Sequence, residues 1–192
     1  MQTEYEASFY PIKPEKIREK LIDIGAKQKR KQYKQTRTVF AFPKGHEMKG
    51  AFLRVRDEAG RITMTIKMIA AEEGIERQKE IELVVDDYEQ ALEFVSTLGA
   101  TQKSVQETKR ELWEYKGVEI MIDWWPFLEP IIEIEGESEA VVCTLAEQLG
   151  FNWDDAIFDT IDAVYTKVYG KTNDDINNHT PKIVFDMDNP FI

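Results

Sequence analysis

The sequence predicts an α+β protein in which eight antiparallel strands close into a barrel surrounded by helices. Three observations point there. Short runs of alternating polar and apolar residues recur along the 192 residues, several of them joined by hairpin-sized turns. Four amphipathic helical stretches fall between or after these runs. Several strands also carry two like charges at spacing two, a pattern that closure into a barrel would explain.

In chain order, "TEYEASF" is the first strand, with Glu4, Glu6 and Ser8 on one face. Pro14 to Gly25 is a helix, with Pro near its start, Ile17, Leu21, Ile22 and Ile24 as its stripe, and Gly as its stop. The basic stretch "AKQKRKQYKQTR" reads as a solvated turn and strand edge rather than an anion site. Strands "TRTVFAF", "AFLRVRD" and "RITMTIKM" follow, the last two flanking Glu58-Ala59-Gly60. "RQKEIELVV" is a further strand, and "DDYEQALEFVSTLG" a helix capped by Asp86 or Asp87.

The second half repeats that order without repeating the sequence. Strands "ETKRELWEY" and "VEIMIDWW" meet at Lys116-Gly117, and "PIIEIEGE" is the last. "SEAVVCTLAEQLG" is a helix with Ser138 as cap, and "WDDAIFDTIDAVYTKVYG" a second helical stretch ending at Gly170. From Lys171 onward the chain reads as a polar loop with one apolar anchor at Ile183 to Phe185.

Composition bounds the function. The length allows one substantial core, and 42% hydrophobic with 32% charged residues describes a soluble globular protein. A net charge of −11 argues against a general nucleic-acid binder, although a small basic pocket is compatible with it. The lone Cys143, read as a small core residue, excludes an internal disulfide framework and a cysteine zinc cluster. No leader or membrane-spanning segment is seen, so a cytoplasmic location without membrane association is the default expectation. His46 and His179 fall in expected loops without partners at metal-ligand spacing, and "GHEMKG" does not lead into a helix as a phosphate loop does.

The doubled charges are Glu4 and Glu6, Arg54 and Arg56, Glu80 and Glu82, and Glu133 and Glu135, with Lys67, Arg110 and Asp123 as single charges. The ordinary explanation of any one pair is an antiparallel sheet with a wet and a dry face. Together they suggest acids and bases on the inner wall of one barrel. Arginine forks and a lysine there can hold polyphosphate oxygens. Carboxylates at spacing two can hold a divalent metal that neutralises them and bridges to the phosphates.

"EYE", "LRVR", "TIK", "KEIE", "KRELW" and "DWWPFLEPIIEIEG" stand in the order seen in the CYTH proteins, or triphosphate tunnel metalloenzymes, and from Thr3 to Gly170 the chain resembles that family. The resemblance implies an eight-stranded tunnel that binds a triphosphate-containing small molecule with Mg²⁺ or Mn²⁺. It implies a tunnel domain over residues 1–170 and a tail over 171–192. It assigns Glu4, Glu6, Glu133 and Glu135 to metal, and Arg54, Arg56, Lys67 and Arg110 to phosphate. It makes Asp123, Glu135 and Lys67 the candidate catalytic groups, with Glu80 and Glu82 balancing the bases. Three departures stand out: Ser8 and Thr108 occupy positions where many members have lysine, and Glu129 replaces a glycine. Lys103 and Lys109 are candidate substitutes, Lys109 having the wrong strand parity.

Three functions are compatible with such a tunnel: a metal-dependent triphosphate hydrolase, the first choice; a class IV adenylyl cyclase making cyclic AMP from ATP; and a triphosphate binder with little catalysis, suggested by Ser8 and Thr108. The Trp124-Trp125-Pro126-Phe127 cluster reads as a hydrophobic plug rather than a base-stacking platform. Substrate, metal preference and oligomeric state, a homodimer included, stay open.

Overall fold

The computed structural model describes residues 1–70 and 74–192. The first half runs β1 (Gln2–Phe9), α1 (Pro14–Asp23), β2 (Lys27–Ala41), β3 (Ala51–Asp57), β4 (Ile62–Ile69), β5 (Gln78–Val85) and α2 (Tyr88–Thr97). The second runs β6 (Thr101–Tyr115), β7 (Val118–Trp124), β8 (Ile131–Gly136), α3 (Glu139–Gln148), α4 (Ile161–Tyr169), α5 (Asn173–Asn178) and β9 (Lys182–Ile183). Eight strands close on themselves in the order β2-β3-β4-β5-β1-β8-β7-β6, with β6 returning to β2. Every pairing in that ring is antiparallel. The closed eight-stranded barrel is the one expected, with five helices around it.

Closure follows from the alternation of side chains. In β8, Ile132 and Ile134 are fully buried outside the ring under helices, while Glu133 and Glu135 between them line its interior. The apolar core therefore sits between barrel wall and helices. Leu21 of α1 and Val142, Leu145 and Leu149 of α3 cover Ile120, Ile122, Ile132 and Ile134. Ala91 and Val95 of α2 cover Phe40 and Val55. A third cluster gathers Tyr165, Ile176, Ile183 and Phe191 around Trp125 and Ile131. Each such large side chain contributes about 1.5–3 kcal/mol by leaving water.

Helix ends obey local chemistry. Pro14 opens α1, the Asp87 side chain accepts from Gln90 N (2.8 Å) at the start of α2, and Gly170 closes α4 with φ +69°. Ser138 stands at the start of α3 without a side-chain capping bond. Gly50 precedes β3 at φ +72°, where a Cβ would stand 2.4 Å from the carbonyl oxygen of Ile69. That glycine serves a turn.

Three expectations need correction. The stretch from Trp153 to Gly170 is not one helix. A 3-10 turn at Trp153–Asp155 gives way to extended chain at Ile157, which exchanges backbone hydrogen bonds of 3.0 and 2.9 Å with Ser8, and α4 begins only at Ile161. Pairing with the end of β1 outweighs helix continuation there. The tail is not a plain loop: α5 is held by a capping box between Thr172 and Asp175, and β9 pairs with β6 in parallel. Cys143 is half-buried on α3 rather than in the core. Among the described residues no helix is long and apolar enough to cross a membrane.

Candidate functional site

A cavity of about 990 Å³ occupies the barrel interior, and every strand of the ring contributes side chains to it. Its wall is divided by charge. Neighbouring strands β5, β1 and β8 supply Glu80, Glu82, Glu4, Glu6, Glu133 and Glu135, while β2, β3, β4 and β6 supply Arg37, Arg54, Arg56, Lys67 and Arg110.

On the acidic side Glu6 stands directly opposite Glu135, and Ser8 opposite Glu133. Like charges so placed repel. Burial pushes the Glu6 carboxyl up from its ordinary value against the pull of Lys67. Burial, with Glu6 and Glu4 close by, pushes Glu135 up to about 8. Burial and Glu4 likewise push Glu80 up to about 7, and burial and Asp123 raise Glu133 in spite of Arg110. These carboxylates lack enough positive charge for all to ionise comfortably.

The basic side is tied to the acids by ion pairs. Lys67 Nζ lies 2.8 Å from Glu4 Oε2, and Arg54 Nη2 lies 3.8 Å from Glu80 Oε2. Arg56 Nη2 meets Glu58 Oε1 at 2.7 Å and Glu82 Oε2 at 3.4 Å. Arg110 donates to both oxygens of Asp123, at 2.8 and 2.5 Å, and to Glu133 Oε2 at 2.6 Å. Burial opposes the charge of Lys67, but Glu6 and Glu4 outweigh it and the net shift is upward. For Arg110 burial is again outweighed, here by Asp123 and Glu133. Arg56 has less compensation: burial and Arg54 bring it down to about 10. The buried Nε atoms of Arg37, Arg54 and Arg56 have no hydrogen-bond partner among the described residues.

Glu4, Glu6, Arg54, Arg56, Lys67, Arg110, Glu133 and Glu135 thus converge on one enclosed space. Asp123 does not line it. Its side chain is 0% exposed behind Arg110, so its place is behind a cation rather than on the wall. Glu80 and Glu82 sit against arginines, as balancing charges would. Lys109 faces outward over the Phe185 ring (4.6 Å), whereas Lys103 reaches the cavity, its pKa lowered by burial. Trp125 packs in the apolar cluster beneath Arg37.

Among the wall groups missed from sequence are two buried charged side chains. Glu58, read as a turn residue, is buried and bridges Arg56 and Arg61. Arg37, at the end of the stretch read as solvated, is 8% exposed and lines the cavity. Strand parity carried the signal: Phe40 faces the outer core, so Arg37, Gln35 and Val39 must face the other way.

The donor set fits a hard divalent cation such as Mg²⁺ or Mn²⁺. All candidates are carboxylates, and the opposed Glu6 and Glu135 are relieved only by protons or a cation. Among the described residues no three acids are yet gathered as ligands, because Glu4 and Glu133 turn to Lys67 and Arg110.

The barrel thus keeps its apolar core outside and lines its interior with opposed acids and bases. The chain belongs to the CYTH family: the model of the CYTH domain matches residues 2–156. None of the curated proteins compared with it matches. Among solved structures it is similar to the PH1012 protein of Pyrococcus horikoshii OT3, with 24% identity, TM-score 0.68, and coverage of 82% of this chain and 96% of that one. A candidate adenylate cyclase from Vibrio parahaemolyticus is similar at 12% identity, TM-score 0.73, and coverage of 86% and 98%. A Hippeastrum candidate adenylyl cyclase with a dominant triphosphatase activity is similar at 12% identity, TM-score 0.56, and coverage of 88% and 97%. Likeness at these identities speaks for the fold.

Proposed function

We propose that the protein is a divalent-metal-dependent phosphohydrolase acting on inorganic triphosphate or on an organic triphosphate held inside the barrel. The observation that carries this reading is the convergence of Arg54, Arg56, Lys67 and Arg110 on the same cavity as Glu4, Glu6, Glu133 and Glu135. The four bases hold and orient the phosphate oxygens, and their fixed charges face the negative charge that spreads over those oxygens in phosphoryl transfer. Asp123 keeps Arg110 aimed inward through its paired hydrogen bonds. Glu135, an acid on the same cavity wall, is placed to position the attacking water beside the phosphate chain. Glu4, Glu6, Glu133 and Glu135 would hold Mg²⁺ or Mn²⁺, which would supply charge neutralisation and polarisation of phosphate oxygens.

A nucleoside cyclase needs the same charges and also a place for the base. Trp125 and Tyr33 each carry a guanidinium over the ring, Arg37 at 4.4 Å and Arg30 at 3.6 Å, which favours the hydrolase. Incubation with tripolyphosphate, ATP and thiamine triphosphate in Mg²⁺ or Mn²⁺ tests the reading. Metal-dependent orthophosphate release is expected. Cyclic AMP as the main product, or tight binding without turnover, would overturn it.

A further inference from the structure

Arg37 is an expensive residue where it stands. It is 8% exposed and no carboxylate among the described residues lies within ion-pair distance of it. It faces Arg56 directly across β2 and β3. Burial, with Arg54, Arg56 and Arg110 around it, drives its pKa well below the ordinary arginine value. A neutral side chain of similar size would stabilise the empty barrel better.

Its orientation is nevertheless fixed. Thr108 Oγ1 donates to Gln35 Oε1 (2.9 Å), which leaves the threonine oxygen to accept from Arg37 Nη2 (3.2 Å). The Trp125 ring backs the guanidinium at 4.4 Å. Its buried Nε is left without a hydrogen-bond partner. A cation held rigid, short of acceptors and crowded by like charges is prepared for an anion.

Resting on the function proposed above, we propose that Arg37 is a further anion-binding residue, its guanidinium taking a phosphate oxygen of the triphosphate beside the neutral Thr108. It supplies from β2 a positive charge that the wall lacks at Thr108 itself. A lysine at position 108 would bring an ammonium group to the same neighbourhood, so each residue should be able to stand in for the other.

The test is calorimetric titration of the Mn²⁺-loaded protein with inorganic tripolyphosphate, paired with thermal unfolding of the ligand-free protein. Wild type, R37Q, R37Q/T108K and R54Q are compared. R37Q is expected to weaken binding about tenfold to a hundredfold, the loss of one charged hydrogen-bonding group. It should also raise the ligand-free Tm, because repulsion is removed. R37Q/T108K should regain most of the lost affinity. Unchanged binding in R37Q overturns the proposal, and so does a fall in ligand-free Tm, which would mark Arg37 as a structural brace. R54Q separates the two levels. Binding lost in R54Q but kept in R37Q defeats only the role of Arg37, whereas wild type that binds no tripolyphosphate defeats the proposed function itself.

Discussion

Glu6 and Glu135 face each other across β1 and β8, and this opposition has a measurable consequence. Glu135 in the folded chain keeps its proton up to about 8, against 4.5 ordinarily. Between those values the folded chain holds a proton that the unfolded chain has released, so rising pH favours unfolding there. The metal-free protein is expected to lose Tm from about pH 5 to pH 8 and level off above. Glu135→Gln should make that profile shallower, with Glu80, Glu6 and Glu133 keeping part of the slope, and saturating Mn²⁺ should lift its alkaline limb. A metal-free Tm that rises through this window would contradict the assignment. Asp123 carries a second residue-scale expectation. Removing the buried partner of Arg110 in Asp123→Ala should cost about 3 kcal/mol in urea unfolding, part of it offset by Glu133. Most wall residues were legible because a period of two fixes direction once one neighbour is known to be apolar. Arg37 was not, because the lysines, Gln28 and Gln32 before it are solvated and its own stretch was read with them.

Among the elements, strands were more legible than the C-terminal helices. Each strand announces itself by alternation over seven or eight residues or more in most cases, as in β3 and β4. α5 has six residues and one fully buried apolar side chain, Ile176, so no stripe marks it. Its readable signal was the Thr172–Asp175 capping box alone. The break before α4 was hidden because Ile157 and Phe158 suit a helix face as well as a strand end. Residues from α4, α5 and β9 share one apolar cluster with Trp125, and Phe191 there stacks on Tyr169 (5.3 Å) and lies tilted against Tyr165 (4.8 Å). Phe191→Ala is therefore expected to cost about 3 kcal/mol by urea unfolding. A loss below about 0.5 kcal/mol would show that the tail contributes nothing to the fold.

At the scale of the whole molecule, the barrel separates two jobs. Helices cover the apolar outside of the wall, which supplies the stability. The inside is left free to carry groups that oppose folding when no ligand is present. This division explains how a chain of net charge −11 can concentrate arginines in one cavity: acids on β5, β1 and β8 line the other side of the same wall and pair with them. It also means that metal and triphosphate should each improve the binding of the other, since each answers one half of the wall. The most direct measurement is the calorimetric Kd of tripolyphosphate for the wild-type protein with EDTA and with saturating Mn²⁺, corrected for metal–tripolyphosphate association in solution. Affinity at least about tenfold tighter with the metal is expected from a coupling of 1.4 kcal/mol or more. Equal affinity in the two conditions would contradict the joint use of acids and bases on which the proposed function stands.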